Sequence, residues 1–198
     1  MLHAQVSLHG GLLVVIDGAK ALATAVRKVF GDTAFIQRCT LHKRRINVRD
    51  HLPKDQQAWV DRKLAAAFNH DDPAKGERAC RDLAAQLEAR WPDAAASLRE
   101  GLEDMFTVRR LGVGGRLAAS LTNTNCIESM ISIARDTTRN VKRWRDGKMI
   151  KRWCAAGMLN AERSFRRLKG YRQMPTFVAA LARHVDAVTP ACDAARVA

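Results

Sequence analysis

The sequence predicts a helix-rich α/β protein in which a short strand–helix–strand unit is followed by an all-α insertion. Three observations lead there. "LLVVI" (residues 12–16) is apolar and mostly β-branched, as in a strand buried on both faces, and Asp17 and Gly18 end it. A helical period follows at once, and then a second short apolar run, "TAFIQRC" (residues 33–39). Strand, helix and strand with connections this short imply a parallel pair.

Element by element, residues 10–50 hold this unit. Leu22, Val26 and Val29 recur on one face of the first helix, and Gly31 is its stop signal. Residues 51–111 read as three amphipathic helices punctuated by Pro53, "DDP" and "WPD". The first stripe is Trp59, Val60, Leu64, Ala67 and Phe68. The second is Cys80, Leu83, Leu87 and Trp91, and the third Leu98, Leu102, Met105 and Phe106. These stripes read as core. Residues 112–183 return to the main body. "GVGG" lacks the spacing of a phosphate-binding fingerprint. "TNTN" is a helix start with Thr124 or Asn125 as cap, and Ile127, Met130, Ile131 and Ala134 are expected to face inward. A last long helix is expected over Gly147–Lys169, burying Ile150, Trp153, Gly157, Ala161, Phe165 and Leu168. Residues 184–198 read as a fraying tail.

Charge narrows the choice of partner. The 198 residues carry 34 Lys and Arg against 20 Asp and Glu, a net +14. An excess of this size needs a polyanion, and nucleic acid is the usual one. It is concentrated between Arg135 and Arg172, where thirteen basic residues face three acids. No apolar run approaches the roughly 20 residues that span a bilayer, and the start lacks the pattern of a secretory signal, so a cytoplasmic protein without a membrane partner is expected. The five cysteines are scattered without a C-x2-C pair, which fits reduced thiols.

Two carboxylates and one short motif carry the chemical interest. Asp17 is either a helix-capping or turn residue, or a metal ligand at the carboxyl end of a strand, where open α/β sheets place their chemistry. Glu128 stands in the first turn of a helix, a position the helix dipole favours on its own. Cys39 and His42 are spaced C-x2-H, which is half of a zinc site with no second half in view. A His42 packed structurally with Cys39 competes with one that meets a DNA strand. Trp144, within "VKRWRDGK", has two readings: stacking on a base or anchoring a loop.

A strand ending in Asp-Gly, "IQRCTLHKRRINV" with its Cys and His, and "TNTNCIESMIS" with its Glu together resemble the Mutator-type transposases of bacterial insertion sequences. "RWRDGKMIKRWCAAGMLNAERSFRRLKGY" resembles a C-terminal block of that family, so the resemblance runs over about residues 10–183. It implies a ribonuclease-H-like core, here partial because its first strands are missing, with the α-helical insertion and an Asp-Asp-Glu triad holding two Mg²⁺ or Mn²⁺ ions. Asp17 matches the second aspartate and Glu128 the glutamate, both catalytic and metal-binding. Cys39 and His42 match a motif near the active site. No acid lies among the sixteen residues before Asp17, so the first aspartate is absent and a truncated transposase is expected. The partner implied is double-stranded DNA, both insertion-sequence ends and target. The residues expected to meet it are Lys43, Arg44, Arg45, Arg139, Lys142, Arg143, Trp144, Arg145, Lys151, Arg152, Arg166 and Arg167. A homo-oligomer, or a mixed oligomer with full-length transposase, is expected. The alternative is a non-catalytic DNA-binding remnant that modulates the full-length enzyme.

Overall fold

The computed structural model describes residues 10–188, and of Val188 the backbone only. The chain divides into two compact units, Met1–Asn123 with Lys169–Ala198, and Thr124–Leu168. In the first unit the order is β1 (Leu12–Ile16), α1 (Lys20–Phe30), β2 (Ala34–Arg38), α2 (Thr40–His42), α3 (Lys54–Phe68), α4 (Pro73–Glu88), α5 (Pro92–Arg99), α6 (Thr107–Arg110) and α7 (Gly115–Leu121). The second unit holds α8 (Asn125–Thr138) and α9 (Gly147–Glu162), after which α10 (Met174–Val188) belongs to the first again.

The expected parallel pair is present, with Leu12 opposite Ala34 and Ile16 opposite Arg38. Successive strand residues point to opposite faces, which decides what each face meets. On one side Ile16 and Ile36 pack with Val26 of α1. On the other, Leu13 and Phe35 pack against Val108, Leu117, Phe177 and Leu181 from α6, α7 and α10. The sheet is therefore the middle of three layers. Of the α1 stripe only Val26 is buried, while Leu22 and Val29 are 46% and 70% exposed. Two strands are too narrow a sheet to cover the whole stripe.

The segment read as a fraying tail begins inside a helix. α10 runs through to Val188, with Phe177, Ala180, Leu181 and Val185 buried at helical spacing. A Cβ on Gly11 would stand 2.8 Å from Val185, so the helix lies close against the start of β1. Residues 189–198 of that expected tail lie outside the described residues.

Residues 54–99 carry three helices, α3, α4 and α5, as their apolar stripes predict. Leu64, Cys80, Leu83, Leu87, Leu98, Met105 and Phe106 form one core, with Trp59 and Trp91 partly buried at its margin. Asp72 caps α4 through its carboxylate, and Pro73 opens the helix. The third helix is shorter than expected. α5 stops at Arg99, Gly101 takes φ +61°, and a single 3₁₀ turn, Glu103–Met105, brings Phe106 into the core. Between β2 and α3, α2 passes into a wider π-helical turn, Lys43–Val48.

In the second unit α8 packs on α9 through small residues. Gly157 lies against Ala134, and the Asn160 amide donates to the Thr137 hydroxyl at 3.1 Å. The inward faces expected here are largely corrected. α8 buries no residue, with Ile127 and Ile131 at 43% and 36% exposure. In α9 only Gly157 and Ala161 are buried, and the helix ends at Glu162, seven residues before the expected Lys169. Phe165 and Leu168 are exposed beyond it, because two paired helices have too little surface to cover a full apolar stripe.

Candidate functional site

Asp17 stands at the carboxyl end of β1 with its side chain exposed. Its Oδ1 accepts the Ala19 backbone N–H at 3.1 Å, so the turn role expected for this residue is real. The residues around it come from the end of β2. Cys39 donates its backbone N–H to the Ile16 carbonyl at 2.7 Å, and Arg38 donates through Nη2 to the Gly18 carbonyl, also at 2.7 Å.

The Cys39 side chain is buried, and its Sγ accepts the His42 backbone N–H at 3.5 Å, capping α2. His42 is half-buried. Thr40 ties this turn to the end of α7, donating its N–H and its hydroxyl to the Thr122 carbonyl at 2.9 and 3.1 Å. Two successive residues of the C-x2-H motif are thus fastened by their backbone, Cys39 to the Asp17 strand and Thr40 to the segment after α7.

The basic run after His42 splits three ways. Lys43 is only 3% exposed, and its ammonium donates to the Ser97 and Glu100 carbonyls at 2.5 and 2.8 Å. Burial and the neighbouring Arg38 charge push its pKa down from 10.5 to about 8. Arg44 pairs with Asp61 through two hydrogen bonds, at 3.0 and 2.7 Å. Both differ from the expectation of solvent-facing phosphate ligands, because the end of α5 takes the donors of Lys43 and a carboxylate midway along α3 takes those of Arg44. Arg45 is exposed, and with Arg49 and Lys54 it lines an open groove of about 610 Å³.

In the second unit Glu128 is exposed in the first turn of α8, and the Thr124 hydroxyl donates to its Oε1 at 2.5 Å. Thr124 is the helix-capping residue by position, but its hydroxyl serves this carboxylate instead of a backbone N–H. Arg139, Lys142, Arg143, Arg145, Lys151, Arg152, Arg166 and Arg167 are all exposed, and Trp144 is 42% exposed between them. Arg145 meets Asp146 at 3.1 Å, and Asp146 also caps α9. Over residues 124–168 eleven basic residues face four acids.

Asp17 and Glu128 are hard oxygen donors, suited to Mg²⁺ or Mn²⁺ and not to a thiolate metal. Each has one oxygen engaged in a local hydrogen bond, which orients the carboxylate. Among the described residues no group of three or more His, Cys, Asp and Glu is placed to hold a metal ion. Each acid by itself is of a kind that suits a hard divalent ion. Sequence reasoning passed over Arg38, since a basic residue at a strand end carries no signal of burial. None of the helices among the described residues is long and apolar enough to cross a membrane.

The family model described as "Transposase, Mutator family" matches residues 4–167. The chain is 30% identical over 131 residues to the transposase for insertion sequence element IS6120 of Mycolicibacterium smegmatis, covering 66% of this chain and 39% of that protein. It is also 30% identical over 125 residues to the transposase for insertion sequence element IS256 in transposon Tn4001, from Staphylococcus aureus and from Enterococcus faecalis, covering 62% of this chain and 31% of those proteins. The matched stretch thus spans between 31% and 39% of the length of these relatives. No solved structure matches the chain. With a match over most of its length, the chain belongs to the Mutator family of transposases.

Proposed function

We propose that this chain carries part of a metal-dependent DNA transposase of the Asp-Asp-Glu type, built on a partial ribonuclease-H-like core. The observation that carries the reading is Asp17, an exposed carboxylate at the carboxyl end of a parallel strand inside the stretch matched by the family. Asp17 and Glu128 are the two acids of the triad in this chain. None of the sixteen residues before Asp17 is an Asp or Glu. When bound, Mg²⁺ or Mn²⁺ would supply Lewis-acid activation of the attacking oxygen and stabilisation of the leaving one. The carboxylates of Asp17 and Glu128 would hold it, Asp17 with its second oxygen and Glu128 with its carboxylate steadied by Thr124. The exposed arginines and lysines of residues 135–172 would bind the phosphates of double-stranded DNA and hold the strand while the chemistry proceeds.

The test is strand transfer on oligonucleotides bearing the element's ends. The chain alone is expected to be inactive, and joining it to a family segment that bears the first aspartate is expected to restore activity. In that joined protein Asp17→Ala and Glu128→Ala should each abolish strand transfer while DNA binding persists. Full activity of either variant would refute the assignment of the acids.

A second reading is favoured by the charge of residues 124–168 alone, which needs no metal to act. Here the chain is a non-catalytic DNA-binding protein that occupies ends or enters mixed oligomers with full-length transposase. Inhibition of the full-length enzyme by the D17A/E128A chain as strongly as by the unaltered chain would favour it.

A further inference from the structure

Asp17 is exposed, yet the backbone on either side of it is tied down at three points. The Ile16 carbonyl accepts from the Cys39 N–H, the Ala19 N–H is taken by Asp17 itself, and the Gly18 carbonyl accepts from Arg38. Arg38 is only 7% exposed, and the other branch of its guanidinium, Nη1, donates to the Glu100 carbonyl at 2.7 Å, just past the end of α5. The Lys43 ammonium reaches that same carbonyl at 2.8 Å. Two glycines make the space. Gly18 and Gly101 have φ of +112° and +61°, and a Cβ on Gly18 would stand 2.7 Å from Nη2, while one on Gly101 would collide with Nη1.

Burying a guanidinium is costly unless its donors are matched, and a surface turn does not need such an anchor. What the arrangement achieves is a turn whose position is dictated from two sides, by β2 and by the helical insertion. We propose that Arg38 is a positioning residue: it locks the Gly18 peptide to the Glu100 carbonyl, so that the insertion helps set where the Asp17 carboxylate stands. The inference rests on the reading of Asp17 as a metal ligand and assigns the residue that holds it. Only an arginine meets both carbonyls, because its planar fork presents donors in two directions, whereas a lysine in its place reaches one. Loss of a group that orients a metal ligand weakens the metal by about 10- to 100-fold.

The experiment uses the whole chain labelled with ¹⁵N and Mn²⁺ alone as the probe. In the unaltered protein, Mn²⁺ should broaden the amide signals around Asp17, and Asp17→Asn should abolish the effect. Arg38→Met and Arg38→Lys should each raise the Mn²⁺ concentration needed by about ten-fold or more. They should also lower the order parameters of Gly18 and Ala19 toward about 0.6, with the amides of Leu64, Leu87 and Leu98 unchanged. A merely structural arginine would disturb those core amides and leave the turn no looser than the rest. If Asp17→Asn still shows the broadening, the metal reading of Asp17 fails, and the order parameters alone then judge the positioning. If folded Arg38→Met or Arg38→Lys keeps a rigid Gly18–Ala19 turn and the original Mn²⁺ requirement, the proposal is overturned.

Discussion

Gly157 of α9 lies directly against Ala134 of α8: a Cβ at Gly157 would stand 3.0 Å from both the Cα and the Cβ of Ala134. α8 buries no side chain fully, so this backbone-to-backbone approach is what seats the Glu128 helix closely on α9. Replacing Gly157 by Leu should force them apart, at a cost of about 1–3 kcal/mol. The Asn160–Thr137 hydrogen bond should break with it, read as a changed Asn160 side-chain amide signal. Unchanged stability and an unchanged Asn160 signal would contradict the packing.

Gly76 does the same between α4 and α3. A Cβ there would stand 2.5 Å from the Ala67 carbonyl oxygen and 2.7 Å from the Phe106 ring. Gly→Ala inside a helix ordinarily stabilises by about 1 kcal/mol, and Gly76 lies at the end of the first turn of α4. At this position the sign should reverse, because the carbonyl belongs to the α3 backbone and the ring is fully buried. Gly76→Ala is expected to lower stability by about 1–2 kcal/mol in urea unfolding. A stabilised variant would show that α3 and α4 yield more easily than their geometry implies.

Lys43 predicts a pH dependence. Its folded-state pKa is about 8 against 10.5 for an unburied lysine. Between those values the unfolded chain keeps the proton and the folded one releases it, so on this group's account stability rises with pH across that window. The full effect is roughly 3 kcal/mol, at about 1.4 kcal/mol per unit. Cys80 opposes it from above about pH 9, because burial pushes its thiol up to about 12 and the folded chain holds that proton longer. Comparing the chain with Lys43→Met cancels the Cys80 contribution. The variant should lack the rising component between pH 8 and 10.5, and parallel pH profiles would refute the assignment.

Replacing Arg143, Arg145, Arg166 and Arg167 together by alanine should weaken binding to double-stranded DNA and flatten its salt dependence. Every phosphate that is no longer neutralised should reduce the slope of log affinity against log salt by about 0.9. Gel-shift titrations at several salt concentrations measure both. The same four changes should leave thermal stability nearly unaltered, since all four side chains are exposed. Affinity and slope equal to those of the unaltered chain would remove this surface from the DNA-binding account.

Local pattern was enough for much of the chain. The apolar run of β1 and its parallel partner β2, the stripe of Leu64, Leu83, Leu87 and Leu98, and the helix break at "DDP" are all legible, because period and turn chemistry act over a few residues. Family membership was legible too, through the order of Asp17, Cys39, His42 and Glu128 along the chain. The errors share one cause. Ile127, Ile131, Phe165 and Leu168 have the spacing of buried residues, but spacing says which side chains share a face and not whether anything covers it. Lys43 and Arg38 fail in the opposite sense: nothing in a basic run marks the residue whose donors will meet the orphan carbonyls at the end of a helix more than fifty positions away. Those carbonyls are brought to Arg38 and Lys43 only when α5 folds back on β2. The candidate acids were thus named from local pattern and motif order, and the hydrogen bonds around Asp17 were decided by tertiary structure, because hydrogen-bond partners distant in sequence are chosen by packing.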